Sequence, residues 1–403
     1  MTGRYRRDEV LGRCHEVISV YRYAPDAVST ERRGDEAFLS RPFSAGPLKF
    51  VVGSTEPALI HLAKELFCDL PEPRNAQGDI PCFMLTPSGT DAALYDITGP
   101  ALGVLTGAPL AKALAWMVAG VNRSVLDLEP TRLHLHAAAA VKHDRAAILA
   151  APRETGKTTT LARLVLAGWA FISDETVSIA ASDEHVRGYP KPISIKPGSR
   201  PLLSELADNF LPPGDVGEDA VLHVSLGATG AEMRTEARPH LVALLRRSPR
   251  NRSHEHGSYA LHPVDAVVRL MAETLDAGRF GPRAVHELAR LAARCHCHEV
   301  IVSTPDGTVA EIEQLFARSA PDVLEVEELV GGERVEPNVV SLLIGDRVVI
   351  HGPPEGPILA LDPAGSEVWL QIGGWQTTSH IDLRGPMVAP FVQQLIDLRL
   401  VTQ

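Results

Sequence analysis

The chain has 403 residues, 45% of them hydrophobic and 22% charged, an ordinary globular balance that excludes disordered and collagen-like classes. Its 39 basic residues against 50 acidic ones give a net charge of −11, and aromatics make up only 5%. An acidic chain with few stacking platforms is poorly suited to a nucleic-acid backbone, so no nucleic-acid partner is expected.

The basic start at residues 1–7 is not followed by the apolar core of a signal peptide. Residues 1–131 read as an N-terminal supporting region of α+β type, with helices predicted over 56–67 and 109–126. The most apolar stretch, 113–121, lies between Lys112 and Arg123 and is too short to cross a hydrocarbon layer of about 30 Å. Together with five scattered cysteines, an odd count that gives no disulfide framework, this predicts a soluble cytoplasmic protein with no membrane partner.

Residues 132–318 alternate strands and helices, the pattern of an α/β layer. Strands are predicted over 133–141 and 146–150, a turn over 152–156, a helix over 157–167 and a strand over 169–173. A strand at 241–245, helices near 264–275 and 283–294, a strand at 298–302 and a helix near 309–316 continue the pattern. An acidic linker rich in Glu, Pro and Gly covers 319–337. Beyond it, 338–403 reads as a small, separate winged-helix domain of three strands plus helices. Its strands at 339–344 and 347–351 meet at Gly345-Asp346, a third is predicted over 357–361, and Asp362 caps a helix over 364–372.

The sharpest motif is Ala151-Pro152-Arg153-Glu154-Thr155-Gly156-Lys157-Thr158-Thr159. It fits the phosphate loop G-x-x-x-x-G-K-[ST] except at Ala151, and it has the strand before and helix after that the motif requires. In such a loop, backbone N–H groups surround the phosphates, Lys157 reaches the β- and γ-oxygens, and the Thr158 hydroxyl ligates Mg²⁺. These nine residues are the expected ATP site. The next predicted strand ends in Asp174-Glu175. A right-handed crossover of one short helix brings that strand close to the first in a parallel sheet and puts both acids beside the phosphates. There one carboxylate can hold Mg²⁺ while the other accepts a proton.

The run Leu133-His-Leu-His136-Ala-Ala-Ala-Ala-Val, the phosphate loop, Gly168-Trp169, Ser173-Asp174-Glu175 and 189–196 resembles the HPr kinase family. The resemblance implies a P-loop catalytic core of HPr kinase/PEP carboxykinase type over 132–318. It also implies ATP and Mg²⁺ as cofactors and a homo-oligomeric assembly. Carried over by position, Lys157 and Thr158 match the phosphate and metal residues, and Asp174 matches the acid that deprotonates the acceptor hydroxyl. Glu175 stands where the family has a second aspartate, and His136 matches a histidine near the catalytic centre. Lys196 stands equally as a cation for transferred phosphate charge or as a solvated loop residue. Arg246, Arg247, Arg250 and Arg252 are taken as a solvated loop.

The segment 338–403 resembles PqqD-like domains, which recognise leader peptides of ribosomally made, modified peptides. The residues behind this are the hairpin 339–351, Pro357-Ile-Leu-Ala-Leu361, Asp362-Pro-Ala-Gly-Ser-Glu-Val-Trp369 and Leu398-Arg-Leu-Val401. The resemblance implies strand addition of a precursor peptide along Ile358, Leu359, Ala360 and Leu361. Val388, Phe391, Val392 and Leu395 would supply the groove. Together the two resemblances imply a kinase that phosphorylates a Ser or Thr hydroxyl of a leader-bound precursor peptide. A small-molecule kinase with a regulatory C-terminal domain and a nucleotide-dependent switch or delivery ATPase are the rival readings. Cys295-His296-Cys297-His298-Glu299 has the composition of a metal tract but no second ligand pair, so it is read as buried cysteines leading into a strand.

Overall fold

The computed structural model describes residues 20–23, 37–75, 78–89, 91–180, 183–214, 216–247, 257–275, 277–352, 356–378 and 380–402. The fold is mixed α/β, divided into two compact units. One comprises Met1–Pro130 with Tyr189–Thr235, the other Thr131–Gly188 with Glu236–Gln403. Residues 189–235 fall with the N-terminal residues in the first unit, and 338–403 fall with 131–188 in the second. No helix among the described residues is long and apolar enough to cross a membrane.

The first unit is built on a sheet in which strand Leu48–Ser54 runs parallel to Gly78–Ser88, joined through helix Pro57–Leu66. The antiparallel strands Asp91–Gly99 and Gly103–Pro109 extend the sheet and lead into helix Leu110–Leu128. Phe43, Phe50, Phe67 and Phe83 form its centre, with ring centroids 5.2–5.5 Å apart. The Phe50–Phe67 and Phe50–Phe83 pairs are edge-to-face, which adds to the burial of the rings.

The second unit carries the loop 151–156, expected from its sequence to hold phosphate. Strand Arg145–Ala150 pairs antiparallel with Ala137–Lys142 on one side and parallel with Glu236–Arg247 on the other. The long strand Glu236–Arg247 then runs parallel to His296–Val302. The run predicted as one strand over 133–141 is broken at His136. Leu133–Leu135 pairs with Val177–Ile179, and Ala137–Lys142 pairs with Arg145–Ala150 elsewhere in the same sheet. Ala137, Ala138, Ala139 and Ala140 are all fully buried, and their small side chains let helices approach on both faces. Helices Pro263–Ala272 and Pro282–Ala292 share one core with Ala137, Ala139, Ile148, Val242 and Leu244. Helices Lys157–Leu166 and Pro305–Phe316 pack against each other and against strands of the same sheet.

The expected parallel neighbour of Arg145–Ala150 is two strands away. Ala170–Ser173 pairs antiparallel with Ala137–Lys142, which lies between the two. The crossover therefore preserves direction while passing over one strand, a displacement of roughly 9–10 Å.

The C-terminal strands Val340–Ile344, Arg347–His351 and Ile358–Ala360 form an antiparallel sheet, with Val326–Glu328 added at the far edge. This sheet is not set apart by its linker. Val340, Leu342, Ile344 and Val349 belong to the same core as helices Pro263–Ala272 and Pro282–Ala292. The other face, Val348 and Ile350, packs with Trp369 and Leu395 of helices Pro363–Ile372 and Ala389–Asp397. Arg347 closes the junction, donating to Asp265 at 2.6 and 2.8 Å and to the Leu361 carbonyl at 2.7 Å. Asp362 caps its helix as predicted, accepting from the Gly365 N–H at 2.7 Å.

Candidate phosphate-binding site

Strand Arg145–Ala150 is buried on both faces and delivers the chain to Ala151 at its C-terminal end. The loop then turns on two residues of positive φ, Glu154 at 66° and Gly156 at 119°. Ala151 is not among the residues of positive φ, so the departure from glycine at that position carries no backbone strain. Gly156 is the residue that needs glycine, because its left-handed backbone precedes the first turn of helix Lys157–Leu166. The Thr155 hydroxyl tightens the turn by donating to the Pro152 carbonyl at 2.9 Å.

Lys157 is 7% exposed, and its ammonium lies across the loop, donating to the carbonyls of Ala151 and Pro152. A buried cation over a turn that opens at a helix N-terminus is a setting for an anion. Pro152, Arg153 and Glu154 stand exposed at the rim, while Thr155 and Thr159 are buried. The Thr158 hydroxyl donates to the carboxylate of Asp174, 3.1 Å from each oxygen. Asp174 follows the strand Ala170–Ser173 and is 3% exposed. Glu175, next to it, is exposed and has a φ of 81°. A hydroxyl and carboxylates are hard oxygen donors of the type Mg²⁺ takes, so the residues fit that ion.

His136 sits at the break between its two strands, where its N–H donates to the Glu273 carbonyl at 2.7 Å. Its ring Nδ1 lies 3.2 Å from Glu273 Oε2, and both side chains are largely buried. Burial, followed by the Lys157 ammonium, pushes the His136 pKa below the ordinary histidine value, against the pull of Glu273 and Glu175.

The structure thus groups the loop residues, Asp174 and His136 within one unit, with Glu175 directly after Asp174. Lys196 is exposed and belongs to the other unit. Of the arginines expected in a solvated loop, Arg246 and Arg247 are strand residues instead. Leu244 is level with Ala150, so both extend past the point where the phosphate loop begins. Arg247 Nε donates to the Thr155 carbonyl at 3.4 Å, and Arg246 donates to Glu299 at 2.7 Å. Arg250 and Arg252 lie outside the described residues. Glu273 gives no signal of its own in the sequence. It is separated from His136 by 137 residues and is placed by the pairing of the helix end with residues 134–136.

Of the residues expected to meet a peptide, Ile358 and Ala360 pack on the core shared with helix Pro263–Ala272. Leu359, Leu361, Val388, Phe391, Val392 and Leu395 pack in the second C-terminal core, and Leu395 is fully buried there. Cys295 and Cys297 are buried in the shared core, and burial pushes the Cys295 thiol up to about 12.

No protein-family model matches the chain, and no curated protein matches it. Among solved structures it is similar to the Hpr(Ser) kinase/phosphatase from Coxiella burnetii, at 10% identity and a TM-score of 0.24. That match covers 45% of this chain and 96% of the other. An overlap of that quality assigns no family.

Proposed function

We propose that the chain is an ATP-dependent phosphotransferase acting on a hydroxyl, with a Ser or Thr of a precursor peptide as the acceptor. The observation that carries the reading is the contact between Thr158 and Asp174, made directly after the Gly156-Lys157 turn. It joins the expected phosphate loop to a carboxylate from a strand two places away in the sheet, the minimum needed to hold a nucleotide and its cation.

In this reading Lys157 and the N-terminus of helix Lys157–Leu166 hold the triphosphate. Thr158 and Asp174 hold Mg²⁺, with Glu175 as the adjoining carboxylate. Bound Mg²⁺ supplies charge neutralisation on the phosphate oxygens. Both oxygens of Asp174 face the Thr158 hydroxyl, which favours the metal-holding role over the proton-accepting one. Arg247, tied to the loop at Thr155, stands as a further cation for charge on the transferred group.

The peptide adds as a strand at Ile358–Ala360, the terminal strand of its sheet among the described residues. Val388 and Phe391, both half-buried, flank the groove, with Val392 and Leu395 buried in the core beneath it.

The test mixes full-length protein with MgATP and a precursor peptide encoded beside it, and follows product mass. A phosphorylated peptide that is lost with Lys157→Ala supports the reading. ATP turnover indifferent to any peptide supports a switch or delivery ATPase, and phosphorylation of a small hydroxyl compound alone supports a small-molecule kinase.

A further inference from the structure

The contact between His136 and Glu273 is not needed to hold a nucleotide. A carboxylate accepts hydrogen bonds and donates none, so a 3.2 Å contact between Glu273 Oε2 and His136 Nδ1 requires the proton on Nδ1. The ring's other nitrogen, Nε2, is then left with its lone pair. Glu273 is held in place from both sides. Its carbonyl accepts from the His136 N–H at 2.7 Å, and Leu275 N–H donates to the His134 carbonyl at 2.9 Å, so helix end and strand break are fastened together. The pair is largely buried, which strengthens the interaction between ring and carboxylate.

We propose that Glu273 is a positioning residue that fixes His136 as the Nδ1–H tautomer, so that Nε2 takes the proton of the acceptor hydroxyl. This rests on the phosphotransferase reading above. During transfer the acceptor O–H bond breaks and its proton passes to Nε2. The acceptor oxygen bonds to the γ-phosphorus, the bond from γ-phosphorus to the bridging oxygen breaks, and ADP leaves with that oxygen. The resulting imidazolium is held by the Glu273 carboxylate, as histidine bases elsewhere are held by a buried acid. Asp174, already turned to Thr158, is left to the metal.

The experiment is ¹⁵N spectroscopy of the histidine rings in the full chain, with His136 identified by the signal lost in His136→Gln. The wild type is expected to show Nδ1 protonated and Nε2 bare. Glu273→Ala should move the ring toward the Nε2–H form and cut turnover about a hundredfold, with MgATP affinity changed less than twofold. Glu273→Gln, whose carbonyl can still accept from Nδ1, should keep the tautomer while losing most of the rate. An Nε2–H wild type, or a Glu273→Ala protein with unchanged tautomer and rate, overturns the proposal. An Nδ1–H wild type that shows no turnover of any kind overturns the proton-accepting role together with the phosphotransferase reading, whereas an Nε2–H wild type that turns over overturns the pair alone.

Discussion

The Thr158 hydroxyl lies 3.1 Å from each carboxylate oxygen of Asp174, linking the first turn of a helix to the end of a strand two places away in the sheet. If the two residues hold one cation between them, removing either should remove most of what both supply. Thr158→Ala and Asp174→Asn should each weaken binding of MgATP while changing metal-free ATP binding less. Their effects should fail to add in a double-mutant cycle by about 1–2 kcal/mol. Calorimetry with and without Mg²⁺ measures this, and strict additivity would mean that the residues act apart.

The loop's glycine requirement is concentrated at one position. Gly156 has a φ of 119°, and a Cβ there would meet only Val302 at an ordinary 3.5 Å, so strain and not crowding sets the cost. Gly156→Ala should lower nucleotide affinity by about tenfold, the equivalent of 1–2 kcal/mol of left-handed backbone strain. Ala151→Gly, which restores the motif as usually written, should give no gain. A clear increase in affinity with Ala151→Gly would contradict the backbone assignment.

Much of this site is legible in the sequence because its elements are consecutive. The turn, the helix start and the strand ending in Asp174 all lie in one short stretch, and each announces itself by residue type. His136 is reached only through resemblance, and the break in its strand is hidden because Leu133–Leu135 and Ala137–Lys142 are largely apolar. Glu273 depends on a pairing across 137 residues, for which local pattern holds no information. The C-terminal sheet does carry a warning. In Val340–Ile344 and Arg347–His351 nearly every residue is buried, the mark of a sheet covered on both sides. A freestanding three-stranded module would show polar alternation on one face.

That shared core makes the C-terminal sheet part of the unit's stability. Leu342→Ala should cost about 2–5 kcal/mol in urea unfolding, the range for a fully buried leucine, and should lower the transition of the phosphate-loop unit as a whole. Arg347→Ala, which strips a two-point contact to Asp265 and a third bond to Leu361, should cost about 2 kcal/mol. A chain ending before residue 338 should not fold stably, and a soluble, cooperative truncated protein would argue against the shared core.

Acid sensitivity should arise in two windows from neighbouring residues. Burial, with the Arg318 guanidinium, pulls the His298 pKa from 6.5 to about 4. The folded state therefore binds fewer protons than the unfolded one, and stability falls as pH drops from about 6.5 toward 4. Burial alone would raise Glu299, but hydrogen bonds from Arg269 and Arg246 outweigh it and hold the carboxyl below its ordinary 4.5. Its share of stability is complete above that value and is lost as pH falls below it through the folded pKa. His298→Gln should reduce the slope in the upper window, which His136 shares, and Glu299→Gln that in the lower, each measured as urea stability against pH. A wild-type profile level from pH 6.5 to 4 would refute the first assignment.

Helix Pro263–Ala272 is fastened at both ends, by Asp265 to Arg347 of the C-terminal sheet and by Glu273 at its cap to His136. Eight residues of helix separate those anchors by roughly 12 Å. On the proposed reading, a peptide added along Ile358–Ala360 would be gauged against His136 by a rigid strut, not dangled from a tether. Such a device would count residues: a bound chain advancing about 3.3 Å per extended residue would present one particular position to the histidine, and lengthening it would present another.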